Sequence, residues 1–407
     1  MDSLIKKVEA REILDSRGNP TLSVSVYADG EVGTFEVPSG ASTGAHEALE
    51  LRDGETRFGG LGVKKAVANA QMAAPILLDM DVSDQRGIDE RLLKLDGTPN
   101  KSKLGANTIL GISVACAKVA AKIKGVETWE HLQSLNFIKP SRKTPLLFMN
   151  LINGGLHSSS RLAFQEYHLV PQVESAEEAL EIGVSVMREL KKIIRAELSA
   201  SFANIGDEGG FAPDIEDVEL PLELMKRASE QAKVFDKVKF ALDVAASSFF
   251  ENGKYKVGGK EISAEELAKI YEDISAKYPM LAIEDPFAEE DFENFAKLNN
   301  GKFIVVGDDL TVTNPERLKK AIEIKAISGI IIKLNQIGTL TETMDVMRIA
   351  RENDIELIVS HRSGETNDDF IADLAYSAGA FGLKTGAPQR GERVAKYNRI
   401  VKIANSH

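Results

Sequence analysis

The spacing of apolar positions changes character along the chain. Residues 8–14, 21–27 and 33–37 alternate apolar with polar, which predicts three strands. The turns between them are short, so the strands pair antiparallel. After Pro38, as far as Glu47, no apolar side chain is larger than alanine, and this stretch reads as a polar loop. Helical spacing follows over 63–78, 84–95 and 108–124, with Ser83 and Asn107 as expected N-caps and Gly125 as a stop. Strands followed by helices describe a small α+β domain. The pattern breaks across 136–145, which sets expected domains of 1–136 and 137–407.

Beyond that break, 146–152 and 165–170 read as strands. Residues 176–198 read as a long amphipathic helix with Ser175 and Glu178 as a capping box, and 218–233 as a second helix disturbed at its start by Pro221. From Phe240 onward strand and helix alternate. Ser263 with Glu266 caps one helix, Asn314 with Pro315 starts another, and 393–403 forms the last. The strands are continuous apolar runs of the buried parallel kind, and from Glu284 they recur at about the 25-residue spacing of a barrel unit. The predicted fold is an α/β barrel of modified TIM type, opening on two strands and two helices, preceded by the smaller α+β domain. Six runs end on a chemically active side chain: Asp243, Glu284, Asp308, Lys333, His361 and Lys384. In a parallel barrel such ends converge on one face, so these six are expected to ring one pocket.

Composition narrows the possibilities. With 43% hydrophobic and 28% charged residues over 407, the chain is an ordinary globular protein. A net charge of −12 argues against nucleic acid as a partner. The single cysteine, Cys116, lies in an apolar run and is expected to be a buried thiol. No run of 18 apolar residues exists and the first residues lack an apolar core, so neither a membrane span nor a signal peptide is expected, and a cytoplasmic setting is.

Asp243, Glu284 and Asp308 would repel one another unless compensated. An all-oxygen set favours Mg²⁺ over zinc; a carboxylate alone at such a junction caps the following helix more often than it binds metal, and it is the three together, with Lys333 and Lys384 opposite, that favour a metal. Beside a metal, Lys333 loses part of its preference for the charged form and can serve as a general base; the alternative for either lysine, and for Lys384 in particular, is a counter-ion to the carboxylates. A base, a metal and a further carboxyl group suit proton removal from carbon next to a carboxylate. Glu166, after Gln165, and the pair Asp207–Glu208 between glycines supply candidate acids. His361, Arg362 and Ser363 read as an anion clamp suited to phosphate, unless Arg362 pairs with a carboxylate. Other motifs fail: His46-Glu47 has no second histidine at metalloprotease spacing, and Gly258-Gly259-Lys260 lacks the upstream glycine of a P-loop. His131 and His168 look like ordinary element residues.

Seven motifs together closely resemble the enolase family: SGASTG at 39–44, GDEGG at 206–210, EDP at 284–286, GDDLTVTN at 307–314, KLNQIG at 333–338, SHRSGET at 360–366 and KTG at 384–386. The likeness spans nearly the whole chain. It implies a barrel that starts ββαα and a Mg²⁺-dependent lyase interconverting 2-phosphoglycerate and phosphoenolpyruvate, with two Mg²⁺ per active site. By this resemblance Asp243, Glu284 and Asp308 hold the first ion and Ser39 belongs to the loop that closes over the second. Lys333 is the base at C2, and Glu208, with Glu166 beside it, is the acid at the C3 hydroxyl. Lys384 contacts the substrate carboxylate, Arg362 and Ser363 contact phosphate, and His157 lies on another closing loop; Gln165 and His361 complete the expected site. A homodimer or a larger even assembly is also implied. Two departures stand out. Ser158, Ser159, Ser160 and Arg161 replace the usual continuation after His157, and Ser248 stands where glutamate is common. The alternatives are another lyase of the same superfamily, or an enolase-like binding protein of low activity.

Overall fold

The computed structural model describes residues 3–40, 44–54, 56–135, 137–138, 143–155, 158 and 160–406. The chain divides into two compact units, one of residues 1–143, 332–349 and 361–379, the other of 144–331, 350–360 and 380–407.

In the first unit β1 (Ile5–Leu14), β2 (Pro20–Ala28) and β3 (Glu31–Glu36) form an antiparallel sheet in that order. Helices α1 (Lys64–Leu77), α2 (Gln85–Asp96), α3 (Ala106–Lys124) and α4 (Thr128–Ser134) follow. α3 packs on β2 and β3 so closely that a Cβ on Gly33 would lie 2.2 Å from the Ala115 carbonyl oxygen. It is, among the described residues, the helix long and apolar enough to cross a membrane, yet 83% of its apolar window is buried in the protein. Its N-cap is Gly105 at φ +93°, where an L side chain is strained. Asn107 is not the cap: its Oδ1 instead accepts from Leu51 N at 3.1 Å. α2 is capped by Asp84, whose Oδ1 accepts from Gly87 N, and not by Ser83, whose own N–H is taken by Asp81. Cys116 is buried, and burial pushes its thiol pKa well up.

The second unit holds β4 (Leu146–Asn153), β5 (Glu166–Pro171), α5 (Ala176–Glu197), α6 (Leu220–Gln231) and β6 (Val238–Asp243), a ββαα opening. Pro221 sits in the first turn of α6, where its missing N–H costs nothing, so it starts that helix. A small sheet of β7 (Phe250–Glu251), β8 (Lys254–Val257) and β9 (Lys260–Ile262) interrupts the alternation. Gly258 and Gly259, the rejected P-loop fragment, are its positive-φ turn between β8 and β9. Along the chain, regular alternation then runs through α7 (Ala264–Lys277), β10 (Met280–Glu284), α8 (Phe292–Leu298), β11 (Ile304–Gly307), α9 (Pro315–Glu323), β12 (Gly329–Ile332), α10 (Leu334–Ile337), α11 (Leu340–Glu352), β13 (Glu356–Ser360), α12 (Phe370–Ser377), β14 (Gly382–Lys384) and α13 (Gly391–Ala404), of which α10, most of α11 and α12 belong to the first unit. Ser263 with Glu266 forms a reciprocal capping box at α7, and Asn314 caps α9 with Pro315 in its first turn.

β4, β5, β6, β10, β11, β12, β13 and β14 close into an eight-stranded barrel. β5 runs antiparallel to both β4 and β6, and the pairs β6–β10, β10–β11, β11–β12, β13–β14 and β14–β4 run parallel. The interior is filled by Phe148, Val170, Ala241, Ala282, Val306, Ile331 and Ile358, one residue from each of seven strands. A filled barrel leaves chemistry to its rim.

Candidate active site

Strand register brings the carboxylates together. Asp243 ends β6 and Glu284 ends β10, and the two are paired in register. β5 runs the other way, so its first residue, Glu166, lies at the same end and pairs with Asp243. Lys384 ends β14, four places round the barrel from β10, and reaches across the mouth. Its Nζ lies 2.8 Å from Asp243 Oδ2, 2.9 Å from both Glu284 oxygens and 3.4 Å from Glu166 Oε1. The lysine is 2% exposed. Burial pulls its pKa down, but Asp243, Glu166 and Glu284 more than reverse this, and the net direction is strongly upward. Burial raises the pKa of Asp243, with Glu166 and Asp308 adding to the rise and Lys384 opposing it.

Asp308 stands one residue beyond β11. Its backbone N–H donates to Asp285 Oδ1 at 3.0 Å, and Asp309 N–H donates to Asp285 Oδ2 at 2.7 Å. One carboxylate oxygen each from Asp285, Asp308 and Asp309 lie within 4.8 Å of one another. Burial first, then Asp309, Asp308 and Asp243, push the Asp285 carboxyl well up. Asp285 also holds φ +43°, an uncommon backbone for an L residue. Its role in shaping the Asp308 turn leaves no trace in the sequence pattern beyond an aspartate beside Glu284.

Two further carboxylates have defined partners. Asn150 Nδ2 donates to Glu208 Oε2 at 3.1 Å, and the glycines around Glu208 allow tight packing: a Cβ on Gly210 would lie 2.5 Å from Asn153 Oδ1. Gln165 Nε2 donates to Asp243 Oδ2 at 3.4 Å. Glu166 Oε2 lies 2.8 Å from His168 Nε2, and both residues are 1% exposed. His168 is therefore not the ordinary strand residue expected of it; residues two apart on a strand share a face, and that period carried the signal. His157 lies outside the described residues. In the altered loop after it, Arg161 turns to Asp214 (Nε to Oδ1, 3.0 Å) and to Glu216 on the surface.

Within the first unit, Arg362 is buried and its guanidinium forks onto Glu47, Nη1 to Oε2 at 2.9 Å and Nη2 to Oε1 at 3.3 Å. Nη1 also donates to Asn335 Oδ1 at 3.0 Å. The carboxylate partner that the sequence left open for Arg362 is thus Glu47. Ser363 Oγ accepts from Arg17 Nη1 at 3.5 Å. Ser39 pairs with Gly364 through both backbone hydrogen bonds, at 2.7 and 2.8 Å. Its hydroxyl accepts from Arg52 Nη2 at 2.7 Å and donates to Glu50 Oε2 at 3.1 Å, beside a cavity of about 530 Å³ lined partly by Arg17, Glu47 and Arg52. Lys333 follows β12 directly and stands at the N-cap of α10; His361 follows β13 and is buried.

Comparison with known proteins decides the family. Residues 5–132 match the family described as "Enolase, N-terminal domain", and residues 141–406 match "Enolase, C-terminal TIM barrel domain". The chain is 48% identical to the enolase of Thermococcus gammatolerans over 98% of its own length and 94% of the relative's. It is 46% identical to the enolase of Methanopyrus kandleri, covering 98% and 95%, and 48% identical to that of Methanocaldococcus jannaschii, covering 98% and 94%.

The chain belongs to the enolase family. It is a lyase of the phosphopyruvate hydratase class, and the barrel with its ββαα opening is the family's C-terminal fold. The donors at the barrel rim fit a metal ion: Asp243, Glu284 and Asp308 offer only oxygen and are buried, and burial with repulsion from neighbouring carboxylates drives up the pKa of Asp243 and of Asp285 beside them. Hard divalent cations take such a set. Lys384 holds the compensating positive charge among three of these carboxylates.

Proposed function

We propose that the protein catalyses the reversible dehydration of 2-phosphoglycerate to phosphoenolpyruvate, a step of glycolysis and gluconeogenesis, with two Mg²⁺ per active site. Family likeness over nearly the full length carries this reading, and the oxygen-only carboxylates at the barrel rim support it. Asp243, Glu284 and Asp308 would hold the first ion. When bound, Mg²⁺ would supply positive charge to balance the negative charge that builds on the substrate carboxylate oxygens as the C2 proton leaves.

Lys333 takes the proton from C2; it directly continues a barrel strand, and elements of that kind hold a base more rigidly than loops do. Glu208 protonates the departing C3 hydroxyl, with Glu166 beside it in the same reaction zone. Lys384 turns from its carboxylate partners to the substrate carboxylate, assisted by Gln165. Arg362 and Ser363 take the phosphoryl group, a match for a planar guanidinium fork and a hydroxyl, and His361 and His157 complete the site. Ser39 Oγ, which donates to Glu50 and accepts from Arg52, would offer a second ion its one remaining lone pair, next to the Arg52 positive charge; Ser42 and Thr43, the other hydroxyls of that loop, lie outside the described residues. Comparing Ser39→Ala with Ser42→Ala for the Mg²⁺ concentration that half-saturates activity separates the two. The catalytic domain runs from about residue 137 to the end of the chain. We also take the protein to be cytoplasmic, which fractionation of the source cells tests, and a homodimer or larger even homo-oligomer, which light scattering of the purified protein tests.

The role of the base has a direct test. Lys333→Ala abolishes turnover and leaves Mg²⁺ binding, followed by calorimetry, in place. Persistent turnover in that variant removes Lys333 from the role.

A further inference from the structure

The barrel interior holds one imidazole that the reading above does not use. Glu166, His168 and Val170 alternate along β5 and share its inner face, since Val170 packs in the barrel core with Phe148 and Ala241. His168 therefore lies one layer below Glu166, inside the barrel. Its ring meets Phe148 edge-on, 6.1 Å between centroids. Its Nε2 lies 2.8 Å from Glu166 Oε2. Beside the Lys384 ammonium Glu166 is a carboxylate, an acceptor only, so Nε2–H is the donor. That fixes the tautomer and leaves Nδ1 a bare acceptor; it is buried and has no hydrogen-bond partner among the described residues.

A buried, half-satisfied imidazole is a poor choice for the fold alone, because an apolar ring of similar size would fill the layer without the desolvation cost. What it provides is orientation. With Oε2 fixed by His168 and Oε1 directed at Lys384 3.4 Å away, the plane of the Glu166 carboxylate is set. Directional hydrogen bonds from a packed neighbour are the usual means of holding a reactive group within the narrow geometry catalysis needs.

We propose that His168 is a positioning residue for the dehydration: it holds the Glu166 carboxylate, through Oε2, in the orientation that serves departure of the C3 hydroxyl. This rests on the reading of Glu166 as part of the acid side of the site. It predicts a division of effects. Loss of the imidazole donor impairs the hydroxyl side and spares proton removal at C2, which is Lys333's task.

The test uses His168→Phe, which keeps the ring volume and removes the donor, and His168→Gln, which keeps an N–H donor. Two rates are measured on the full-length Mg²⁺-loaded protein: phosphoenolpyruvate formation, and exchange of the C2 hydrogen of 2-phosphoglycerate into D₂O. His168→Phe should lower kcat at least tenfold, change KM less than threefold, and leave C2 exchange within threefold of the unmodified protein. His168→Gln should recover kcat to within fivefold. A His168→Phe protein with kcat within twofold of the original overturns the proposal, and so does an equal loss of exchange and turnover, which marks general damage. Should His168→Phe fail to fold, His168→Leu is judged by the same limits. Absence of both exchange and turnover in the unmodified protein would instead overturn the proposed reaction, and the positioning role with it.

Discussion

Replacing Lys384 by Met isolates the electrostatics of the barrel rim. The lysine places one positive charge within 3.4 Å of three buried carboxylates, Asp243, Glu284 and Glu166. Methionine fills a similar volume without the charge. Breaking a buried ion pair by removing one partner costs about 3–5 kcal/mol, because the remaining charge stays buried and uncompensated. Part of the loss is recovered as Asp243, already raised by burial and opposed in this by Lys384, moves further up and takes a proton. For a unit of roughly 200 residues each kcal/mol shifts Tm by about 2–4 °C, so Lys384→Met should melt about 6–20 °C lower than the unmodified protein in EDTA at neutral pH. Saturating Mg²⁺ should then raise Tm more in the variant than in the unmodified protein, since the ion no longer competes with an ammonium for the same oxygens. Differential scanning calorimetry with and without Mg²⁺ reads both effects. A variant within about 2 °C of the original in EDTA would refute the electrostatic account. A smaller Mg²⁺ response in the variant would show that lysine and ion do not share these carboxylates.

Two further outcomes follow from the first unit. Burial, then Lys124, lowers the His131 pKa to about 4 from 6.5, so the folded protein holds it neutral where the unfolded chain is protonated. The stability this carries is full above the unfolded value and is lost as pH falls toward 4, at up to about 1.4 kcal/mol per pH unit; urea unfolding between pH 7 and 4 should show a shallower decline in His131→Gln, and an unchanged slope would remove His131 from the acid response. Gly33→Ala would place a Cβ 2.2 Å from Ala115 O and 2.4 Å from Val119 N. Neither backbone atom can swing aside, so destabilisation of about 3 kcal/mol or a failure to fold is expected from overpacking, and a soluble variant of unchanged Tm would contradict the close sheet–helix contact.

The rim was legible where a charge interrupts a buried strand. Asp243, Glu284 and Lys384 each end an apolar run, and the structure keeps each as the last residue of its strand. The caps were legible where side chain and backbone are neighbours, as at Ser263 and Asn314. Asn107 and Ser83 had cap chemistry near the right places and do not cap, because Leu51 N claims the Asn107 amide oxygen and Asp84, one residue after Ser83, takes the first-turn N–H of Gly87. Pairings across distance were not legible at all. Glu47 lies 315 positions from Arg362, and Arg17 lies 346 from Ser363; no local period connects them. Lys384 shows the limit most clearly, since the sequence placed its charge at the rim but left open whether it served as counter-ion or substrate contact. The β7–β9 sheet was missed because its strands are too short to set a period. The Asp285 backbone, at φ +43°, follows from its two hydrogen-bonded neighbours and not from residue type.

The central claim is met most directly by ultraviolet detection of phosphoenolpyruvate formed from 2-phosphoglycerate, first with Mg²⁺ and then with excess EDTA. Turnover that EDTA abolishes and fresh Mg²⁺ restores is the predicted result. Folded, Mg²⁺-replete protein that forms no phosphoenolpyruvate, or that forms it equally well in EDTA, would contradict the account.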